Sequence, residues 1–273
     1  MTTLLAWTGI DTHGPASVYI ASDSRISWGS GRYWNVGRKV FASKTRPEVF
    51  GYCGAVTFPI QILGQLVDLI DLGLFFSESD SYDSKLEKVI AKISDSYRNL
   101  PISQHEKCQI FYASRVGSRM SSTFHAATID VNRGGVSASK IDYPKNSGII
   151  AMAGTGKPSL AFSYEEWIGP HYKDPSQLGR TSRSVFGAFC DALASGKDPY
   201  SGGAPQLVGL YRAGAAKAFG IIYNGSRYIN GLEVSVIPGL NSVEWRNNLF
   251  ERCCGENMEI LKSAQRQPRP RNS

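Results

Sequence analysis

The spacing of apolar residues changes several times along this 273-residue chain, from strand-like to helical and back again. Strand-like runs come first, at residues 4–8, 17–21, 39–41 and 48–53. Helical spacing follows in two stretches, through Phe58, Ile62, Leu66, Leu69 and Ile70 and then through Leu86, Val89, Ile90, Ile93 and Tyr97. Residues three or four positions apart share one face of a helix, so these stretches predict two consecutive helices with one apolar face each.

The alternation is then repeated toward the C-terminus. Strands are predicted at residues 109–116, 122–131, 135–141 and 149–153, and helices at residues 158–167 and 182–195. Two late strands, at residues 207–212 and 218–223, and a closing helix at residues 243–261 complete the pattern. Hairpins that alternate with helix pairs can bury their apolar faces as two stacked sheets with helices outside. We therefore predict an α+β fold, a four-layer αββα sandwich.

No internal repeat or linker interrupts the pattern, so we predict a single domain over residues 2–264. Residues 265–273 form a basic tail with three arginines and no acidic residue. Such a segment carries too little apolar surface to offset the entropy of ordering it, so we expect it to be disordered.

Composition excludes several classes of protein. The net charge is +7, but the basic residues form no stripe interleaved with aromatics, so we do not expect nucleic-acid binding. No run reaches the roughly 20 apolar residues that span a bilayer, and the N-terminus lacks the pattern of a secretion signal. The five cysteines lack metal-ligand spacing. We expect a cytoplasmic protein with reduced thiols and no membrane contact.

The sequence predicts neither a phosphate-binding loop nor a histidine metal site. The stretch "AGTGKPS" resembles a phosphate-binding loop, but that loop needs glycine where Ala151 stands and serine or threonine where Pro158 stands. The four histidines are far apart and show no ligand spacing. No metal or cofactor is expected.

The start of the chain carries a different kind of chemistry. Methionine before a small residue is readily trimmed, and Thr2 would then be the terminal residue. A terminal amine has a pKa of about 7.7–8.0, so it can act as a base near neutral pH. Thr2 could therefore supply both a nucleophilic hydroxyl and its general base. A Met-Thr start is a weak signal when it stands alone.

Later segments strengthen that signal. In order they are "TTLLAW", "IASDSR", "GRKVF", "FGYCGA", "AGTGKPSLAF" and "DPYSGG". Their order and spacing over residues 2–236 resemble the proteasome β-subunit family, which includes the bacterial HslV peptidase. The resemblance implies the N-terminal-nucleophile hydrolase fold and an active site built on the terminal threonine.

The resemblance also assigns roles to residues of this chain. It implies a catalytic set of Thr2, Asp23, Lys39, Gly54, Thr155, Asp198 and Ser201. The Lys39 charge would lower the cost of forming an alkoxide on Thr2, and Asp23 would neutralise and orient Lys39. The backbone N–H of Gly54 would hold the oxyanion, and Asp198 and Ser201 would orient the Thr2 amine. Thr155 stands where the family has serine.

A substrate pocket is implied as well. Its expected lining is Ile26, Gly37, Phe41, Tyr52 and Val56. Tyr52 lies where the family places the base of its specificity pocket, so a tyrosine there would favour small side chains or obstruct the pocket. The aromatic loop that contains Trp28, Tyr33 and Trp34 would shape the cleft or pack on a neighbouring subunit.

The leading interpretation is a threonine endopeptidase that assembles into stacked homo-oligomeric rings. It would act on peptides or unfolded proteins, with a possible unfoldase or activator partner. Two alternatives stay open. One is a catalytically inactive, proteasome-like shell subunit, and the other is an amidase of the same architecture that acts on small amides.

Overall fold

The computed structural model describes residues 2–28, 31–169 and 181–270. Within these ranges the strands are β1 (Leu4–Asp11), β2 (Gly14–Ser22), β3 (Ile26–Ser27), β4 (Tyr33–Trp34), β5 (Val40–Ala42), β6 (Glu48–Gly54), β7 (Cys108–Val116), β8 (Thr123–Asn132), β9 (Gly135–Ile141), β10 (Gly148–Ala153), β11 (Gln206–Tyr211), β12 (Lys217–Ala218), β13 (Gly220–Tyr223), β14 (Ser226–Ile229), β15 (Leu232–Glu233), β16 (Trp245–Asn247) and β17 (Arg252–Cys253). The helices are α1 (Thr57–Asp71), α2 (Tyr82–Arg98), α3 (Lys157–Ile168) and α4 (Ser182–Ala194).

Two five-stranded antiparallel sheets form the centre of the molecule. Sheet I has the order β10-β1-β2-β11-β12, and sheet II has the order β5-β6-β7-β8-β9. Their facing sides share one apolar core, to which Leu4, Val18, Ile20, Val49, Phe111 and Val208 contribute. Successive residues of a strand point to opposite faces, so Leu5 and Trp7 of β1 lie in a second core on the outer side of sheet I.

Each sheet is covered by a helix pair on its outer face. α1 and α2 bury Leu66, Val89 and Ile93 in a core shared with sheet II. α3 and α4 bury Leu160 and Phe186 against the outer face of sheet I. The predicted four-layer αββα sandwich is therefore confirmed, and all four helices coincide with predicted ones to within a few residues.

The predicted closing helix at residues 243–261 is wrong. This stretch contains β16 and β17, which join β13, β14 and β15 in a small third sheet, here called sheet III. The Asn247 side chain accepts hydrogen bonds from the backbone N–H groups of Leu249 and Glu251, at 3.0 and 2.9 Å. Phe250 between them has a φ of +62°. Such local side-chain bonds give the backbone an alternative to the helix.

The described part of the basic tail has hydrogen-bond partners on α4. Gln267 is buried, and its side-chain oxygen accepts from the Thr181 hydroxyl at 3.0 Å at the start of α4. Arg269 bonds Asp191 of the same helix at 2.6 Å. Composition alone does not reveal such partners, because they are polar groups on a distant helix. Residues 271–273 lie outside the described ranges.

The five cysteines carry free thiols, and Cys254 is the most exposed of them. Burial raises the pKa of Cys53 to about 11, so this thiol stays protonated at neutral pH. In the described part of the chain, no helix has the length and apolar character needed to cross a membrane.

A buried ion pair fastens α2 to sheet II. Lys85 donates to Glu48 Oε1 at 2.7 Å, and the Tyr112 hydroxyl donates to Glu48 Oε2 at 2.7 Å. Glu48 is fully buried, and burial raises its pKa while Lys85 opposes part of that shift. Both oxygens of the carboxylate therefore depend on partners from other elements.

We predict that Lys85→Met lowers the free energy of unfolding by about 3 kcal/mol or more, because it leaves a buried carboxylate unpaired. Lys88→Met is the matched control on the same helix. Lys88 pairs with Asp80 at a more exposed position, so its loss is expected to cost under about 1 kcal/mol. Urea unfolding of the two variants measures the difference, and equal losses would contradict the assignment.

Candidate active site

Thr2 and Lys39 meet where the two main sheets face each other. Thr2 lies two residues before β1 in sheet I, and Lys39 immediately precedes β5 in sheet II. The Lys39 Nζ atom donates to Thr2 Oγ1 at 2.7 Å, and both side chains are almost completely buried. Residues 37 positions apart in sequence are thus brought together only because the sheets stack.

Asp23 is surrounded by donors. It follows the end of β2, and its Oδ1 accepts from Lys39 Nζ at 2.9 Å and from the Thr3 backbone N–H at 3.1 Å. Its Oδ2 accepts from the backbone N–H groups of Arg25 and Gly202, both at 3.0 Å. Burial of a carboxylate is costly unless donors bond its oxygens, and here four donors converge on it. The arrangement favours the ion pair between Asp23 and Lys39.

Burial sets the electrostatics of the lysine. Desolvation lowers the pKa of Lys39 below its ordinary value, and the Asp23 carboxylate opposes part of that shift. The ammonium points at a neutral hydroxyl oxygen on one side and at a carboxylate on the other. A positive charge held next to Thr2 Oγ1 stabilises negative charge that develops on that oxygen.

A second chain of hydrogen bonds reaches the backbone nitrogen of Thr2. That nitrogen donates to Thr155 Oγ1 at 3.3 Å, and the Thr155 hydroxyl donates to Asp198 Oδ2 at 2.8 Å. Ser201 Oγ donates to the same carboxylate oxygen at 2.6 Å. Ser201 also lies 2.7 Å from Thr3 Oγ1. Thr155, Asp198 and Ser201 are therefore connected to one another and to the start of β1.

Gly54 is the last residue of β6, the strand that lies beside the segment of Lys39. The Tyr52 backbone N–H donates to the Lys39 carbonyl at 3.1 Å, which sets β6 directly beside this lysine. Gly54 ends the same strand two residues after Tyr52. The other six predicted catalytic residues are joined by the hydrogen bonds described above, in one group around Lys39 and another around Asp198.

The five residues expected to line a pocket fall into two packed groups, one of two residues and one of three. A Cβ built on Gly37 would meet Ile26 Cδ1 at 2.4 Å, so these two residues are in contact. Phe41 and Tyr52 are buried in the core between sheet II and α1, and Val56 packs against that core. The Tyr52 hydroxyl donates to the Arg38 carbonyl at 3.1 Å.

An open cavity of about 530 Å³ lies elsewhere, at the β10 edge of the space between the sheets. None of the five expected pocket residues lines it. Its lining is Gln109, Phe111, Thr128, Ile149, Ile150, Ala151, Met152, Lys157 and Tyr164. Sequence reasoning missed this cavity, because its lining combines residues of β7, β8, β10 and α3 that are distant in sequence.

Two polar residues of the site were also missed. Thr3 joins the Asp23 and Ser201 groups through its backbone N–H and its hydroxyl. Gln206 is fully buried beside Lys39 and Asp23. A buried glutamine at the start of an apolar strand is the signal that could have drawn attention to it, because such amides are normally exposed.

Comparisons with known proteins give the following picture. No protein-family model matches the chain, and no curated protein matches it either. Among solved structures it is similar to eukaryotic HslV from Trypanosoma brucei, with 13% identity, a TM-score of 0.44 and coverage of 76% of this chain and 99% of that one. It is also similar to Thiobacillus denitrificans BPH in complex with epoxomicin, with 16% identity, a TM-score of 0.48 and coverage of 78% of this chain and 100% of that one.

Gly156 packs directly on the site, and this generates a prediction. A Cβ there would lie 1.8 Å from Thr3 Oγ1 and 3.0 Å from Ser201 Oγ, so both hydroxyls must shift in Gly156→Ala. We expect a loss of about 1–3 kcal/mol in the free energy of unfolding. Gly64→Ala is the control, because a Cβ at this interior position of α1 has no neighbour within 4 Å. It should stabilise by about 0.5–1 kcal/mol, and thermal unfolding compares the two. Similar effects of both changes would refute the close packing.

Proposed function

We propose that this chain is a threonine peptidase whose nucleophile is Thr2 after removal of Met1. The observation that carries the proposal is the 2.7 Å contact between Lys39 Nζ and Thr2 Oγ1, inside a buried network with Asp23. A buried ammonium that donates to a hydroxyl is suited to stabilise the alkoxide form of that hydroxyl. Histidine is not needed in this scheme, because the terminal amine takes the role of the base.

The first half of the proposed reaction forms an ester. The proton of Thr2 Oγ1 passes to the free amine of Thr2 while Oγ1 attacks the carbonyl carbon of an amide bond. The negative charge on the carbonyl oxygen is held by the backbone N–H of Gly54. The carbon–nitrogen bond then breaks, and the ammonium returns its proton to the departing nitrogen. The acyl group is left on Thr2 Oγ1.

The second half restores the enzyme. A water molecule gives a proton to the Thr2 amine and attacks the ester carbon, and the ester oxygen takes that proton back as it leaves. The hydrogen-bonded group of Thr155, Asp198 and Ser201 orients the amine in both halves, because Thr155 Oγ1 already lies 3.3 Å from the Thr2 nitrogen. Thr155 thus fills the serine position of the family with its hydroxyl kept.

For assembly, we propose stacked homo-oligomeric rings that enclose the active sites. The helices that follow Gly54 and Thr155, namely α1 to α4, are the proposed packing faces. Peptides or unfolded proteins would be the substrates, and an unfoldase or another activator is a possible partner. Native mass spectrometry of the purified protein tests the assembly, and a monomer would overturn it.

The chemical step predicts a specific labelling pattern. A peptide epoxyketone reacts with a residue that carries both a hydroxyl and a free amine. We expect intact mass to show the loss of one methionine and the addition of one inhibitor to the wild-type protein. Thr2→Ala and Lys39→Ala should remove the labelling, whereas Thr2→Ser keeps hydroxyl and amine and should retain it.

Two outcomes would reject the proposal. A chain that keeps Met1 has no free amine on Thr2, and it would point to an inactive shell subunit. Labelling that persists in Thr2→Ala would place the nucleophile elsewhere. Circular dichroism of each variant shows whether lost labelling reflects lost folding.

An amidase that acts on small amides is the second candidate. It is favoured by the packing of Tyr52, which is buried with its hydroxyl on the Arg38 carbonyl. A side chain in that position leaves little room beside Gly54 for a large substrate group.

Assembly into a ring with a central chamber separates the two candidates, and Tyr52→Gly tests whether the tyrosine side chain limits the size of the substrate group. Removing the aromatic ring frees space next to β6, so we expect cleavage to extend from peptides with small side chains before the scissile bond to those with large ones. Peptides that differ only in this side chain measure the preference through kcat/KM. Tyr82→Phe is the control, since Tyr82 is another buried tyrosine, packed between α2 and sheet II. An unchanged preference in Tyr52→Gly would reject the role of Tyr52 in specificity.

A further inference from the structure

Gln206 is a fully buried amide that none of the motifs predicted. It is the first residue of β11 and pairs with Ser22 at the end of β2. β11 follows the Asp198–Ser201 turn, and β2 leads into Asp23, so Gln206 lies where the two halves of the site meet. A buried amide is costly unless its polar atoms are bonded, and here both ends of the side chain have partners.

The acceptor end of Gln206 holds the lysine backbone. Its Oε1 atom accepts from the Lys39 N–H at 3.0 Å. Lys39 lies just before β5, and its carbonyl accepts from Tyr52 of β6 at 3.1 Å. The lysine backbone is therefore fixed on one side by a strand and on the other by the Gln206 amide.

The donor end of Gln206 holds the aspartate segment. Its Nε2 atom lies 3.1 Å from the Asp23 carbonyl, 3.0 Å from Ser24 Oγ and 2.7 Å from the Gly37 carbonyl. A single amide thus connects the backbones on both sides of the ion pair between Asp23 and Lys39. These carbonyls are buried, so without the amide they would lack a donor and would have to rearrange.

Sheet III closes over this amide. Gly231 lies in the turn between β14 and β15 with a φ of +83°, and a Cβ there would meet Ser24 Oγ at 2.3 Å and Gln206 Nε2 at 3.2 Å. The turn therefore touches the Gln206 network directly. This contact leaves the amide little freedom to move.

We propose that Gln206 is a positioning residue that sets the distance between the Lys39 ammonium and the Thr2 hydroxyl. The inference rests on the proposed function, because the distance matters for chemistry only if Thr2 is the nucleophile. Gln206 itself acts through the backbones of Lys39, Asp23 and Gly37. Substrate binding is not expected to depend on it.

Gln206→Met tests this role, since it keeps the length of the side chain and removes every hydrogen bond. Labelling of Thr2 by the epoxyketone is measured at several inhibitor concentrations, which separates the maximal rate from the half-saturating concentration. We expect the maximal rate to fall at least tenfold, while the half-saturating concentration changes less than twofold. Gln206→Glu keeps the acceptor for the Lys39 N–H and loses the donors, so its rate should also fall.

The pH dependence of the labelling rate is a second measurement. It would not change in Gln206→Met if Gln206 only stabilised the fold. The Lys39 charge lowers the pKa of a neighbouring amine, because like charges disfavour each other. If the ammonium moves away in Gln206→Met, the pKa of the Thr2 amine rises toward its ordinary value. The rise of the rate with pH should therefore move to higher pH. A crystal structure of Gln206→Met should show Lys39 Nζ more than about 3.5 Å from Thr2 Oγ1, beyond hydrogen-bond distance.

Leu210→Ala is the control for lost stability, because Leu210 is buried on the same strand, in the core between the sheets, where it pairs with Val18 of β2. It should lower the unfolding temperature and leave both the labelling rate and its pH dependence unchanged. If Gln206→Met also keeps the wild-type rate, pH profile and Lys39–Thr2 distance, the positioning role is overturned while the proposed function stands. If wild-type Thr2 does not label, the proposed function fails, and the crystallographic distance alone decides whether Gln206 sets the geometry.

Discussion

A lysine ammonium in the core between two sheets is stable only if its charge is matched. The Asp23 carboxylate matches the charge of Lys39. Besides the lysine, three backbone N–H groups donate hydrogen bonds to that carboxylate. Those N–H groups come from the start of β1, the segment after β2 and the turn before β11. The ion pair can therefore form only when these three segments are already in place, so the fold and the site depend on the same contacts.

This dependence explains why the site lies at one end of the sandwich. Backbone groups beyond the last paired residue of a strand have no ladder partner and are free to bond a side chain. Thr2, Asp23 and Lys39 all lie just outside the strands that they flank. Stacking of the sheets then brings these strand ends together, and the side chains between them are shielded from water. The carbonyls of Asp23 and Gly37 also lack a partner in a strand ladder, and the Gln206 amide donates hydrogen bonds to both.

Much of the architecture could be predicted from residue spacing, because strands and helices bury their apolar faces with periods of two and about 3.6. The segments of the site followed from short motifs joined by resemblance to a family. Gln206, Thr3 and the cavity at β10 could not be found in this way, since their significance lies in contacts between residues distant in sequence. The error at residues 243–261 has a similar origin, because the Asn247 side chain competes with helical hydrogen bonds in a manner that apolar spacing does not reveal.

Two buried ion pairs among the described residues, Lys39–Asp23 and Lys85–Glu48, differ in how their charges are matched. Lys85 and the Tyr112 hydroxyl both donate to Glu48, so each oxygen of that carboxylate has a partner and the group is complete in itself. Lys39 instead divides its donors between a carboxylate and the oxygen of Thr2, a neutral group. A neutral hydroxyl gains little from an ammonium until it loses its proton, whereas an alkoxide gains a great deal. The stabilisation that this pair can offer thus grows as the hydroxyl loses its proton, which is the property that the proposed reaction requires.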